Sequence, residues 1–281
     1  MKQSINKSHR HLKFSMKIIK LLISLGFCIL LYRCERVIEV DLNDASPALV
    51  IEANLSYIDK YVDVRISRTG SYFSDDNLDV ISGAKVILKN DSGDKYIINE
   101  SEPGIYREDI AILRTGEEYS LSVEVNEIVY SAVSIIHPVV NIDSLSYSYS
   151  KGAMFYDDGY RVHLYFQDPE EMNNYYRIRT FKNGELQNDI DNLIVFEDSR
   201  INGKMMQVKL RSQNFDKGDT AYIEFLSIDE GAWRYFTTLQ EVADANPGSP
   251  APANPKSNFD NGALGYFSAW SHDYMSVVID N

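Results

Sequence analysis

The chain has 281 residues, 44% hydrophobic and 12% aromatic, with 28 basic residues against 41 acidic and a formal charge of −13. Such a surface repels phosphate backbones and anionic headgroups, which argues against a nucleic-acid partner. Two cysteines, Cys28 and Cys34, are too few for a disulfide-stapled scaffold, and 19 tyrosines favour strands.

The N-terminal stretch Met1–Ser15 is basic and polar, and Met16 offers a second start that would open a standard leader. Lys17 and Lys20 give a positive beginning, and an apolar run follows from Leu21 to Tyr32. That run falls within the roughly 7–15 residues of a signal-peptide core. It is short of the roughly 20 residues a spanning helix needs. Read as an uncut anchor, the stretch would have to place Lys20 inside its apolar part. The spacing therefore predicts a removable leader over residues 1–33, with Cys34 as the lipidated first residue of the mature chain. Leu31 fits a bacterial lipobox; Arg33 stands where that motif has a small residue. Removing residues 1–33 takes seven basic residues and no acidic one, leaving a body of roughly −20, suited to a soluble domain held off a membrane by a tether.

Residues 34–46 read as an acidic tether. Alternation then begins at Leu49-Val50-Ile51 and is strict in Tyr61-Val62-Asp63-Val64-Arg65-Ile66. Ala84 to Leu88 closes on Asn90-Asp91-Ser92-Gly93, a strong turn signal. Tyr96-Ile97-Ile98 and a short strand at Ile105-Tyr106 follow, then Tyr119 to Val125, pairing with Ile128 to Ile136 across Asn126-Glu127. About seven strands at this spacing predict an immunoglobulin-like β-sandwich over 47–138. His137-Pro138 ends it.

A second β-rich domain, a sheet or barrel, is expected over 141–281. Its strand candidates are Leu145–Ser150, Tyr160–Gln167, Tyr175–Phe181, Leu193–Glu197, Met205–Leu210 and Ala221–Ile228. One helix is expected at about 228–244. Ser227 with Glu230 fits a capping box, and Ala232, Phe236, Leu239 and Ala243 recur at helical spacing. Asn246-Pro247-Gly248 stops it, and a proline-rich loop, Ser249 to Pro255, leads into a glycine- and aromatic-rich tail. Prolines that restrict the free chain, glycines that permit turns, and Phe259, Tyr266, Phe267 and Trp270 as apolar anchors predict an ordered tail over Asn254–Phe267.

Three stretches carry a family resemblance: Cys34-Glu35-Arg36-Val37-Ile38-Glu39-Val40-Asp41-Leu42, the first strands Leu49-Val50-Ile51-Glu52 and Val64-Arg65-Ile66-Ser67, and the tail Asn254-Pro255, Ser257-Asn258, Asn261-Gly262 and Gly265-Tyr266-Phe267. Together they resemble the DUF4249-type lipoproteins of Bacteroidetes-type bacteria. The resemblance implies an envelope lipoprotein, often encoded near outer-membrane TonB-dependent transporters. It supplies no catalytic residues.

Motifs for chemistry are sparse. His137, His163 and His272 remain after the leader, none with a second ligand at metal spacing. There is no nucleophile elbow and no phosphate-cradling glycine loop. Asp75-Asp76-Asn77-Leu78-Asp79 imitates the start of a calcium loop, but Val80 and Val86 stand where the turn glycine and the bidentate glutamate belong. The sequence therefore assigns no catalytic residue, no metal and no cofactor. Aromatics at Tyr147, Tyr149, Tyr156 and Tyr160 form a candidate ligand platform, with hairpin packing as the plainer reading. Asn254, Pro255 and Asn258 are candidate partner contacts in the tail. The expected function is that of an outer-membrane or periplasmic lipoprotein, anchored by lipid and serving as a non-catalytic accessory of a TonB-dependent transporter. A free-standing carbohydrate- or peptide-binding lipoprotein and a hydrolase using acidic residues are the alternatives.

Overall fold

The computed structural model describes residues 47–69, 79–152, 158–170, 173–200, 202–210, 214–244 and 254–280. The leader, Cys34, the tether, Tyr156, residues 71–78 of the acidic loop and the proline-rich residues 245–253 lie outside the described residues. The fold is mainly β. In chain order the first strands are β1 (Leu49–Ser56), β2 (Tyr61–Arg68), β3 (Asp79–Val80), β4 (Lys85–Asn90), β5 (Lys95–Ile98), β6 (Glu100–Glu102), β7 (Ile105–Asp109), β8 (Glu118–Val125) and β9 (Ile128–Ile135). There follow β10 (Ser144–Ser150), β11 (Gly159–Gln167), β12 (Tyr175–Lys182), β13 (Glu185–Leu186), β14 (Ile194–Glu197), β15 (Met205–Lys209), β16 (Thr220–Ile228), helix α1 (Glu230–Ala243) and β17 (Leu264–Val278).

Three open sheets form among the described residues, and none closes into the barrel that was one expectation for the second half. A ten-stranded sheet runs β13-β12-β16-β17-β1-β2-β7-β6, with β14 also on β12 and β3 on β2. A four-stranded sheet, β5-β4-β8-β9, and a three-stranded sheet, β10-β11-β15, complete the set. Alternation sends Ile51, Ala53 and Leu55 of β1, with Val62, Val64 and Ile66 of β2, to one face of the large sheet. There they meet Val86, Leu88, Leu121 and Val123 of the four-stranded sheet, making the immunoglobulin-like sandwich core. Further along the same face, Tyr176 and Ile178 of β12, with Ile223 and Phe225 of β16, meet Val162, Leu164 and Phe166 of β11 in a second core. Each fully buried valine, leucine, isoleucine or phenylalanine among them contributes about 1.5–3 kcal/mol.

The two segments expected to be separate domains share the large sheet. The cores do change over between Ile136 and Val140. Yet β17 pairs in parallel with β1 from Val50↔Leu264 to Ser56↔Trp270, and antiparallel with β16 from Thr220↔Val278 to Ser227↔Ser271. Phe267 and Ala269 of β17 belong to the first core, and Ile279 just beyond it to the second. The junction itself is held to this strand: the Ser271 hydroxyl donates to the His137 carbonyl at 2.7 Å, and the Ile142 N–H donates to Asp273 at 2.8 Å.

The helix start is offset from the sequence expectation. Ser227 is the penultimate residue of β16, and Asp229 is the cap, its carboxylate accepting the Ala232 N–H at 2.8 Å. The same buried carboxylate accepts from the Ser134 hydroxyl and from the Ile135 N–H at 3.2 Å, tying the helix to β9. Asp229 thus competes with Ser227 for the cap and wins because it also serves the neighbouring sheet. The tail residues dock beside this helix. Asn258 closes a two-way pair with the Phe267 backbone, at 2.8 and 2.9 Å, and Asp260 does the same with Ser131, at 2.9 and 2.7 Å.

Candidate functional site

The second face of the ten-stranded sheet is polar. Register pairs Glu52 of β1 with Arg65 of β2 and with Tyr266 of β17, Asp63 of β2 with Arg107 of β7, and Arg179 of β12 with Glu224 of β16. Partners in register share a face, so these side chains all stand opposite the two cores. Helix α1 covers part of this face through Tyr235 and Phe236, which pack on Tyr266 with ring centroids 4.8 Å apart in both cases. What it leaves open is a cleft of about 390 Å³ walled by Arg65 and Arg107 on one side and Arg177 and Arg179 on the other. Its remaining lining includes Glu52, Asp63, Tyr61, Tyr266 and Trp270, with Leu186 and Asn188 from the edge beyond β12.

In a flat sheet, β2 and β12 would lie roughly 19 Å apart, four strand spacings. Twist and coiling bring their arginines to opposite walls of one cleft. The electrostatics agree. The Tyr61 hydroxyl on β2 is pushed up by burial and by Asp59, and is pulled back by Arg179 of β12 and by Arg107. Two walls far apart along the sheet therefore feel each other's charge.

Each arginine is positioned differently. The Arg107 guanidinium lies 4.4 Å above the Tyr61 ring. Arg65 and Arg107 both approach Asp63, but only to 3.8 and 4.0 Å, beyond hydrogen-bond length. Arg179 pairs with Glu224 at 3.1 Å. Arg177 stacks 4.0 Å over the Phe236 ring, and its Nε is sealed from solvent without a hydrogen-bond partner. Burial pulls its pKa down and the neighbouring Tyr266 opposes that pull. No carboxylate lies within ion-pair distance of Arg177 among the described residues. Four guanidiniums stand among three carboxylates, Glu52 and Asp63 in the lining and Glu224 on Arg179, in a chain of formal charge −13. This is a local reversal of sign. It suits recognition of an anion, because arginine forks bind carboxylates in two-point fashion and stay protonated at any physiological pH.

A larger hollow of about 630 Å³ lies over β11, β14 and β15, bounded by His163, Phe196, Arg200 and Met206. His163 there already bonds the Ser148 hydroxyl and the Gln207 amide, each at 2.9 Å. Its lining mixes Phe196, Met206 and Val208 with Glu197, Arg200 and Lys209, charges of both signs, so the arginine cleft with its four like charges is the stronger candidate despite its smaller size.

The residues singled out from sequence are placed elsewhere. Tyr147 and Tyr149 pack edge-on against Tyr160, with centroids 5.8 and 5.3 Å away. The Tyr147 hydroxyl donates to Asp280 and that of Tyr149 to Asp158 at 3.1 Å. Tyr147 and Tyr160 also lean on the second core, while Tyr149 stays exposed. Tyr156 lies outside the described residues. Asn258 is occupied by the Phe267 backbone, while Asn254 is exposed and Pro255 half-buried near the helix, where the Lys256 N–H donates to Thr238 at 2.8 Å. Among the described residues, no group of three or more His, Cys, Asp or Glu is arranged to hold a metal ion. Sequence reasoning missed the arginines, although Arg177-x-Arg179 and Asp63-x-Arg65 on alternating strands do mark polar faces.

The family model described as "Domain of unknown function (DUF4249)" matches residues 35–274. A two-domain fibronectin type-III segment of chicken tenascin is similar at 13% identity, covering 65% of this chain and 91% of that one, with a TM-score of 0.23. No curated protein matches the chain.

Proposed function

Because this chain belongs to the DUF4249 family, a family with no activity attached to its description, we propose a binding role: a lipid-anchored protein of the cell envelope, working as a non-catalytic accessory of an outer-membrane TonB-dependent transporter. The observation that carries the binding role is the arginine cleft. Guanidiniums bind and orient anions but do not exchange protons near neutral pH, so a wall of four is equipment for recognition. The anchor rests on the charged start at Lys17 and Lys20, the apolar run to Tyr32, and Cys34, the single cysteine left after it. Several acyl chains hold a protein on a membrane where one would not. The transporter rests on the family resemblance.

The test is affinity recovery of the lipidated protein from outer membranes, with mass spectrometry of what accompanies it. A TonB-dependent transporter recovered in near-equal amount supports the reading. Recovery of the protein alone contradicts the accessory role and leaves the free-standing binding lipoprotein, which the same cleft also favours. The anchor has its own test: labelled fatty acid enters the wild-type protein and not Cys34→Ala. Absence of label in wild type contradicts lipidation.

A further inference from the structure

Arg65, Arg107 and Arg177 retain binding capacity, while Arg179 also pairs with Glu224 at 3.1 Å. Arg65 and Arg107 share Asp63 at distances too long for hydrogen bonds, so their N–H donors are unspent on it. Arg177 is held by stacking on Phe236, with an Nε that no acceptor satisfies. A buried donor left open is costly, by enough that native structures satisfy nearly all of them. The cleft volume of about 390 Å³ falls in the range of sites for small ligands, roughly 300–1,000 Å³.

We propose that this cleft binds a small carboxylate-bearing anion, gripped by Arg65 and Arg107 on one wall and by Arg177 and Arg179 on the other. The inference deepens the binding role proposed above and rests on it. Arginine forks match phosphate as well as carboxylate, so the choice between them comes from the surroundings. Glu52, Asp63 and Glu224 stand among the arginines, and the whole body is acidic. A phosphate concentrates nearly two charges on one group beside them, whereas a polycarboxylate divides single charges between the two walls. Arginine pairs on opposed walls favour a ligand with more than one carboxylate, one for each wall.

Calorimetric titration of the purified protein with citrate tests this, with glycerol as the neutral comparison and inorganic phosphate as the rival anion. Citrate is expected to bind saturably and glycerol not at all. The double variant Arg65→Gln/Arg107→Gln is expected to bind citrate about tenfold or more weakly. Both side chains are more than half exposed, at 64% and 55%, so this variant should melt as wild type does. Arg177→Lys, which keeps charge but loses the planar fork, is expected to weaken citrate as well. Arg234→Gln, on the exposed side of the helix, is expected to leave it unchanged. No saturable heat with citrate overturns the inference. Equal citrate affinity in wild type and the double variant overturns it too, by placing the binding elsewhere. Tighter binding of phosphate than of citrate overturns the choice of carboxylate. If citrate fails while a transporter is still recovered from membranes, the ligand inference falls and the accessory role stands; if both fail, the binding role itself falls.

Discussion

Gly265 shows how one residue sets the topology. It sits at φ +92° at the start of β17, and a Cβ there would lie 2.0 Å from the Ile51 carbonyl oxygen. Only glycine permits both that backbone and that approach, and the approach is the parallel pairing of β17 with β1. Gly265→Ala is expected to cost roughly 2–5 kcal/mol, from backbone strain plus overpacking, measured by urea unfolding. A loss under about 1 kcal/mol would mean that the pairing is looser than described. The histidines give a pH signature. Burial holds His137 and His163 below the usual 6.5, with Asp229 opposing it at the first and Lys209 adding to it at the second. The unfolded chain then takes up protons that the folded chain refuses. Their contribution is present above 6.5 and is lost as pH falls below that value. The urea midpoint is expected to drop between pH 7 and pH 5, and the double variant His137→Gln/His163→Gln to flatten that slope. An unchanged slope would show that both rings are solvated.

At the scale of elements, the β8–β9 hairpin turns through Asn126 at φ +50° and Glu127 at φ +66°. That is the geometry of a tight two-residue turn, in which asparagine followed by glycine is the easiest choice. Glu127→Gly is expected to raise stability by about 0.5–1 kcal/mol, read from thermal unfolding, because it relieves strain in an exposed turn. A lower melting temperature would contradict that. This hairpin was legible in the sequence, as were most strands of both halves, since alternation of Tyr119 to Val125 or Tyr61 to Ile66 reports directly on burial of one face. The helix was legible too, but not its cap, because Asp229 is chosen by contacts with Ser134 and Ile135 some ninety residues away. Strand β17 was the main omission. Buried on both faces from Gly265 to His272, it shows no alternation there and reads as a glycine- and aromatic-rich tail.

For the whole molecule, the consequence is a division of labour within one sheet. One face builds two cores against two smaller sheets; the other carries helix α1 and the arginine cleft. The arginines were visible in the sequence as polar positions of alternating strands, where they read as solvated face. Nothing local says that the polar faces of β2 and β12, more than a hundred residues apart, meet. That follows only from β17 joining β1 to β16. The cleft is therefore a product of the same long-range pairing that merges the two halves, and the fold and the proposed recognition stand on one feature.

Hydrogen exchange of the intact protein with and without citrate tests that joint claim most directly. Amides of β2, over Tyr61–Arg68, and of β12, over Tyr175–Lys182, are expected to gain protection together on adding citrate, while β10 and β11 do not change. Protection confined to one of the two strands, or centred on the Tyr147–Tyr160 hairpin, would contradict it.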